Sequence, residues 1–118
     1  MEKNRGIKRL VFALLYSWQG LRSALKHEEA FRQEFIGFVA LTTYSFFLDV
    51  TPMERLMMIS TLVLVMIVEV LNSAIETTID RVSYDKHKLS GRAKDYGSFA
   101  VLMTILIATA TWLTILFA

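Results

Sequence analysis

The chain has 118 residues, of which 54% are hydrophobic and 20% charged, with a net charge of +2 and no cysteine. Soluble domains carry about 45–50% apolar residues, so this excess, with the charges gathered in clusters, points to lipid as the solvent. The absence of cysteine excludes disulfides and thiolate metal sites, and so modest and uneven a charge speaks against nucleic acid as a partner and for loops that set membrane topology.

The stretch from Met1 to Arg9 is basic. The apolar segment after it is interrupted by Gln19 and Arg22 and lacks a small-residue cleavage site, so no removable signal peptide is expected. Ile7, Leu10, Val11, Leu14, Leu15, Trp18, Leu21 and Leu25 recur at helical spacing while Lys8, Gln19, Arg22 and Lys26 fall off that stripe, which predicts an amphipathic helix over 7–26. Trp18 and the cationic side suit a helix lying in the membrane interface. Packing on a soluble core is the alternative, and so short a chain offers little core.

A first membrane span is expected at about 30–48. The charge-free run Phe35 to Leu48 is only 14 residues long, so the span must take in Phe31 to Glu34 as well. Asp49-Val50-Thr51-Pro52 then reads as a turn, with Thr51 as N-cap and Pro52 at the first helical position. A second span is expected at about 55–80. Its charge-free part, Leu56 to Val68, is 13 residues and cannot cross alone, so the helix carries Glu69, Asn72 and Glu76 into or near the bilayer. The third span is expected at about 93–118. Within it Tyr96 to Ala118 is charge-free, and as a helix these residues reach about 35 Å against a hydrocarbon core of roughly 30 Å.

Arg32 and six other Lys or Arg precede or open the first span, the Asp80 to Asp95 loop holds five, and the Asp49 to Arg55 turn holds one. Positive charge marks the cytoplasmic side, so the N-terminus and the 80–95 loop are expected inside, the Pro52 turn and the C-terminus outside. The expected fold is an all-α membrane protein, one domain over 1–118, with a surface helix and three transmembrane helices.

Glu69, Asn72, Glu76 and Asp80 fall inside roughly an 80° arc of one helix face, and Glu69 lies about 16 Å along the axis from Asp80. A charge at membrane depth costs at least about 2.5–3.5 kcal/mol, so these residues are functional candidates. Interhelical hydrogen bonding is the alternative, worth about 1 kcal/mol per residue. The stripe opens toward Arg81, Lys86, Lys88, Arg92 and Lys94, which either signal topology alone or hold phosphate. Carboxylates beside cations suggest a metal-phosphate site, because phosphoryl transfer needs a hard cation, a basic group on the phosphates and a base at the acceptor hydroxyl. Glu28 and Glu29 lie just before the first span and can meet Glu76 there, while Lys94 can reach phosphates from the start of the third span. Gly91-Arg92-Ala93-Lys94 lacks the GxxxxGK[ST] spacing and no GxGxxG occurs, which excludes the familiar soluble kinases. His27 and His87 read as solvated or nucleotide-touching residues, not metal ligands.

The run Glu69-Val70-Leu71-Asn72-Ser73-Ala74-Ile75-Glu76-Thr77-Thr78-Ile79-Asp80 resembles the signature of the prokaryotic diacylglycerol kinase family. Tyr16 to Arg22, Glu28, Ala30 to Glu34 and Leu89 to Asp95 resemble it too, and the likeness covers nearly the whole chain, loosest over Ile36 to Phe47 and Ser83 to Lys86. It implies a homotrimer of three-span subunits that transfers the ATP γ-phosphate to diacylglycerol at the cytoplasmic face of the bacterial inner membrane, with magnesium as cofactor. It also implies roles. Glu69 would be the general base, Glu28 and Glu76 the magnesium ligands that also touch ATP, and Asn72, Lys94 and Asp95 supports of the phosphates and the base. Arg9, Tyr16, Asp85 and His87 would touch nucleotide, and Gln33, Glu34, Arg55, Ser98 and Trp112 would join Glu69 in contacting lipid. Undecaprenol kinase shares this signature and stays open as an alternative acceptor specificity; the Tyr16 to Glu34 stretch favours diacylglycerol. A small ion-coupled transporter subunit, with Glu69 and Glu76 as a relay, is the alternative of another class.

Overall fold

In the computed structural model, which describes residues 6–118, four helices follow one another: α1 (Gly6–His27), α2 (Glu29–Ser45), α3 (Pro52–Val82) and α4 (Lys88–Phe117). The basic start of the chain, residues 1–5, lies outside the described residues. α3 packs against α4 most extensively and against α2 next, while α1 meets mainly α2. The chain measures 51 × 43 × 22 Å, so it is only about two helix diameters thick.

α1 extends one residue beyond the expected 7–26 at each end, and only its Ala24 is buried. A corner at Glu28, whose backbone is extended (φ −107°, ψ 103°), separates it from α2. Arg32 holds this corner by donating to the carbonyls of Leu25 (2.7 Å) and Lys26 (3.3 Å), so a cation satisfies orphan acceptors at the α1 C-terminus.

α2 stops at Ser45, three residues short of the expected 48. There Phe46, Phe47 and Leu48 donate to the carbonyls of Thr43, Tyr44 and Ser45, tightening the chain into a turn. Arg55 donates to the carbonyls of Ser45 and Leu48 (both 3.0 Å) and lies 5.4 Å from the Phe46 ring centre, tying that turn to α3.

α3 begins at Pro52 with Thr51 as its N-cap, as the turn signals predict, ahead of the span expected from about 55; Thr51 and Glu54 form a reciprocal capping box, with Thr51 Oγ1 accepting from Glu54 N–H and Glu54 Oε1 accepting from Thr51 N–H. α4 begins at Lys88, five residues before the expected 93. His87 Nδ1 caps it, accepting from Leu89 N–H at 3.1 Å. Both helices are long and apolar enough to cross a membrane.

Buried positions on α4 are Gly97, Val101, Thr104, Ala108 and Trp112, a repeat of four and three residues in which small side chains admit a close neighbour. At its far end the Trp112 indole donates to the Met58 carbonyl (3.0 Å), and Met58 is fully buried. Elsewhere the helices present apolar side chains outward, among them Ile67 and Leu71 on α3 and Leu102 and Leu106 on α4. Faces of this kind need lipid or another helix against them.

Candidate active site

Glu69 and Asn72 are buried on α3, while Glu76 and Asp80, one and two turns further on, are half-buried. Counting from Pro52 at the opposite end, Glu69 is about 26 Å along the axis, against a hydrocarbon core of roughly 30 Å. Glu28, at the corner between α1 and α2, and Glu34, on α2, lie within electrostatic range of Glu69, as does Glu76. None of these four carboxylates makes a side-chain hydrogen bond or ion pair among the described residues, and Glu34 Oε2 is fully enclosed without a partner. Glu69 and Glu76 therefore lack, among the described residues, the hydrogen bonds that interhelical glue would show.

Asn72 has its amide oxygen buried without a hydrogen bond. It lies directly on the bare Cα of Gly97, where a methyl group would overlap it. Three residues earlier on α4, the Lys94 ammonium donates to Asp80 Oδ1 at 2.9 Å, the single ion pair among the described residues. A cavity of about 500 Å³ opens beside this pair, lined by Ile79, Ser83 to Lys88, Ser90, Gly91 and Lys94. Three lysines face it, an electrostatic setting for phosphate.

The expected nucleotide residues divide. Asp85, His87 and Lys94 line this cavity, whereas Arg9 and Tyr16 stand exposed on α1 and do not, and exposed Asp95 does not line it either. Tyr16 stacks on Phe12 with ring centres 6.3 Å apart. His87 already uses Nδ1 to cap α4.

The expected lipid residues divide as well. Gln33 and Ser98 are exposed, the former donating weakly to Glu29 Oε1 at 3.4 Å. Arg55 lies about 21 Å along α3 from Glu69 and is engaged on the α2 turn. Two adjoining apolar clefts between α2, α3 and α4 share Leu41, Leu62, Ala108 and Thr109; Glu34 lines one and Trp112 the other.

Sequence reading did not pick out Gly97 or the Asp80–Lys94 pairing. A signal for Gly97 is present, since it follows Lys94 by three residues and so shares its face of α4. No three described His, Asp or Glu side chains form a group able to hold a metal ion by themselves.

The model of the prokaryotic diacylglycerol kinase family matches residues 15–116. A diacylglycerol kinase of Escherichia coli K12 is 48% identical over 113 residues, covering 96% of this chain and 93% of the relative. Those of Haemophilus influenzae and Pseudomonas aeruginosa are 46% and 48% identical over 117 and 111 residues, covering 99% and 94% of this chain and 99% and 90% of the relatives. The chain therefore belongs to the prokaryotic diacylglycerol kinase family.

Proposed function

We propose that this bacterial membrane protein phosphorylates diacylglycerol with ATP, giving phosphatidic acid and ADP at the cytoplasmic face of the inner membrane. The family match and the names of its relatives support the kinase activity and the lipid acceptor. The observation that carries the mechanism is Glu69, a buried carboxylate that no donor among the described residues occupies.

A lipid acceptor keeps its acyl chains in the bilayer and presents its hydroxyl near the interface, so a base at this depth meets it there. Glu69 accepts the hydroxyl proton as the acceptor oxygen bonds to the γ-phosphorus and the bond from that phosphorus to the β–γ bridging oxygen breaks. Lys94 orients the phosphates, with Asn72 and Asp95 in support. Arg9, Tyr16, Asp85 and His87 are assigned to the nucleotide. Gln33, Glu34, Arg55, Ser98 and Trp112 are assigned to the lipid.

Glu28 and Glu76 would hold magnesium. Their hard carboxylate oxygens, which have no cation partner among the described residues, fit that ion. The ion supplies neutralisation of the charge that develops on the phosphate oxygens.

α2 is assigned as the first of the three spans, beside α3 and α4. Its 17 residues reach about 26 Å, and the turn through Leu48 completes the crossing. The Lys and Arg distribution supports an inside N-terminus and an outside C-terminus, and the outward apolar faces support assembly, which we assign as a homotrimer.

The test is transfer of label from γ-labelled ATP in mixed micelles holding diacylglycerol or undecaprenol. Label should enter phosphatidic acid and depend on magnesium. Label entering only undecaprenol would overturn the acceptor, and label entering neither would overturn the kinase.

A further inference from the structure

We infer that Asp80 is a positioning residue that holds the Lys94 ammonium at the mouth of the lysine-lined cavity, ready for the phosphates of the nucleotide. The inference rests on the assignment of Lys94 to phosphate. Lys94 comes from α4 and Asp80 from α3, so their 2.9 Å contact joins the two helices at the cavity rim. Lysine is a flexible point charge with a four-carbon stem, and an unrestrained ammonium spends its time in bulk water.

An ammonium has three N–H donors. Asp80 Oδ1 occupies one, which leaves two for phosphate oxygens without breaking the pair. The pair is also only part-buried, with side-chain exposures of 41% for Lys94 and 36% for Asp80, so solvent screening keeps it weak as a source of stability. Its effect falls on where the charge sits. Arg81, Lys86, Lys88 and Arg92 form no ion pair among the described residues, so Lys94 is the one loop cation with a fixed anionic partner.

The experiment measures ATP saturation at saturating diacylglycerol for the parent, Asp80→Asn, Asp80→Glu and Lys94→Gln, with displacement of a fluorescent ATP analogue as a readout that survives loss of turnover. Asp80→Asn should raise the KM for ATP by about 3–10-fold, the range expected for losing one orienting charged hydrogen bond at a screened site, and leave the KM for diacylglycerol unchanged. Asp80→Glu should recover most of the loss. In a Lys94→Gln background Asp80→Asn should weaken analogue binding no further, because the residue it positions is gone. The inference fails if Asp80→Asn leaves the KM for ATP within twofold of the parent, or if its effect adds in full to that of Lys94→Gln. An equal rise in both KM values with a lowered Tm would make Asp80 merely structural. If Asp80→Asn does not assemble, Asp80→Ser, which also removes the carboxylate charge, decides by the same KM comparison: a rise for ATP alone supports positioning, and no rise or an equal rise for both substrates overturns it. Unaltered ATP binding in Lys94→Gln would instead sink the phosphate assignment of Lys94 itself.

Discussion

Asn72 and Gly97 show how a glycine can matter for what it leaves room for. The Asn72 amide rests where a Gly97 side chain would be, and no other conformational demand on Gly97 is present. Alanine is better than glycine inside a helix by about 1 kcal/mol, while overpacking costs typically 1–3 kcal/mol when nothing can move. Here the obstacle is the end of one short side chain, which can swing aside, so Gly97→Ala should change stability little and displace the Asn72 carboxamide. We expect turnover to fall at least about tenfold, on the scale of losing one oriented polar group, with helix content and assembly retained. Parental turnover in the folded variant would remove Asn72 from the site. The signature residues Glu69, Asn72, Glu76 and Asp80 were legible because a 3.6-residue period puts them on one face. Gly97 was not, since periodicity marks it only as a small residue on α4 and says nothing of what stands opposite.

At the level of elements, α3 and α4 are held together at both ends, by Asp80 and Lys94 on the cavity side and by Met58 and Trp112 on the other. Trp112 is 9% exposed and its N–H is committed to the Met58 carbonyl, so its hydrogen bond serves helix packing even though its ring borders an apolar cleft. Trp112→Phe keeps the aromatic bulk and removes the donor. It should lower stability by about 0.5–1.5 kcal/mol, the net value of one hydrogen bond, with kcat near parental, as read by thermal unfolding and assay together. A raised KM for diacylglycerol at unchanged stability would make lipid contact, not helix packing, the main role of Trp112. Helix α1, the Thr51–Pro52 cap and the long apolar helices α3 and α4 were legible from periodicity, hydropathy and capping signals. The start of α4 was not legible, because the end of a run of charges marks where a span can begin, whereas His87 starts the helix among charged residues.

For the molecule as a whole, lysines and other charged residues gather around the cavity at the α3–α4 turn, and the apolar surface faces outward along α3 and α4. Sequence alone could give the three apolar lengths but no count of subunits, because a face that seeks lipid and a face that seeks another helix have the same composition. What unites the chain's parts is a carboxylate stripe that reaches from the cation-lined cavity to lipid depth, with Glu69 at its membrane end. Glu69→Gln preserves shape and removes the proton acceptor. In reconstituted protein it should bind ATP with near-parental affinity, assemble normally, and phosphorylate diacylglycerol about 10²–10⁴-fold more slowly, the usual contribution of a general base. Near-parental turnover, or a loss that stabilising lipid restores by restoring assembly, would contradict the account.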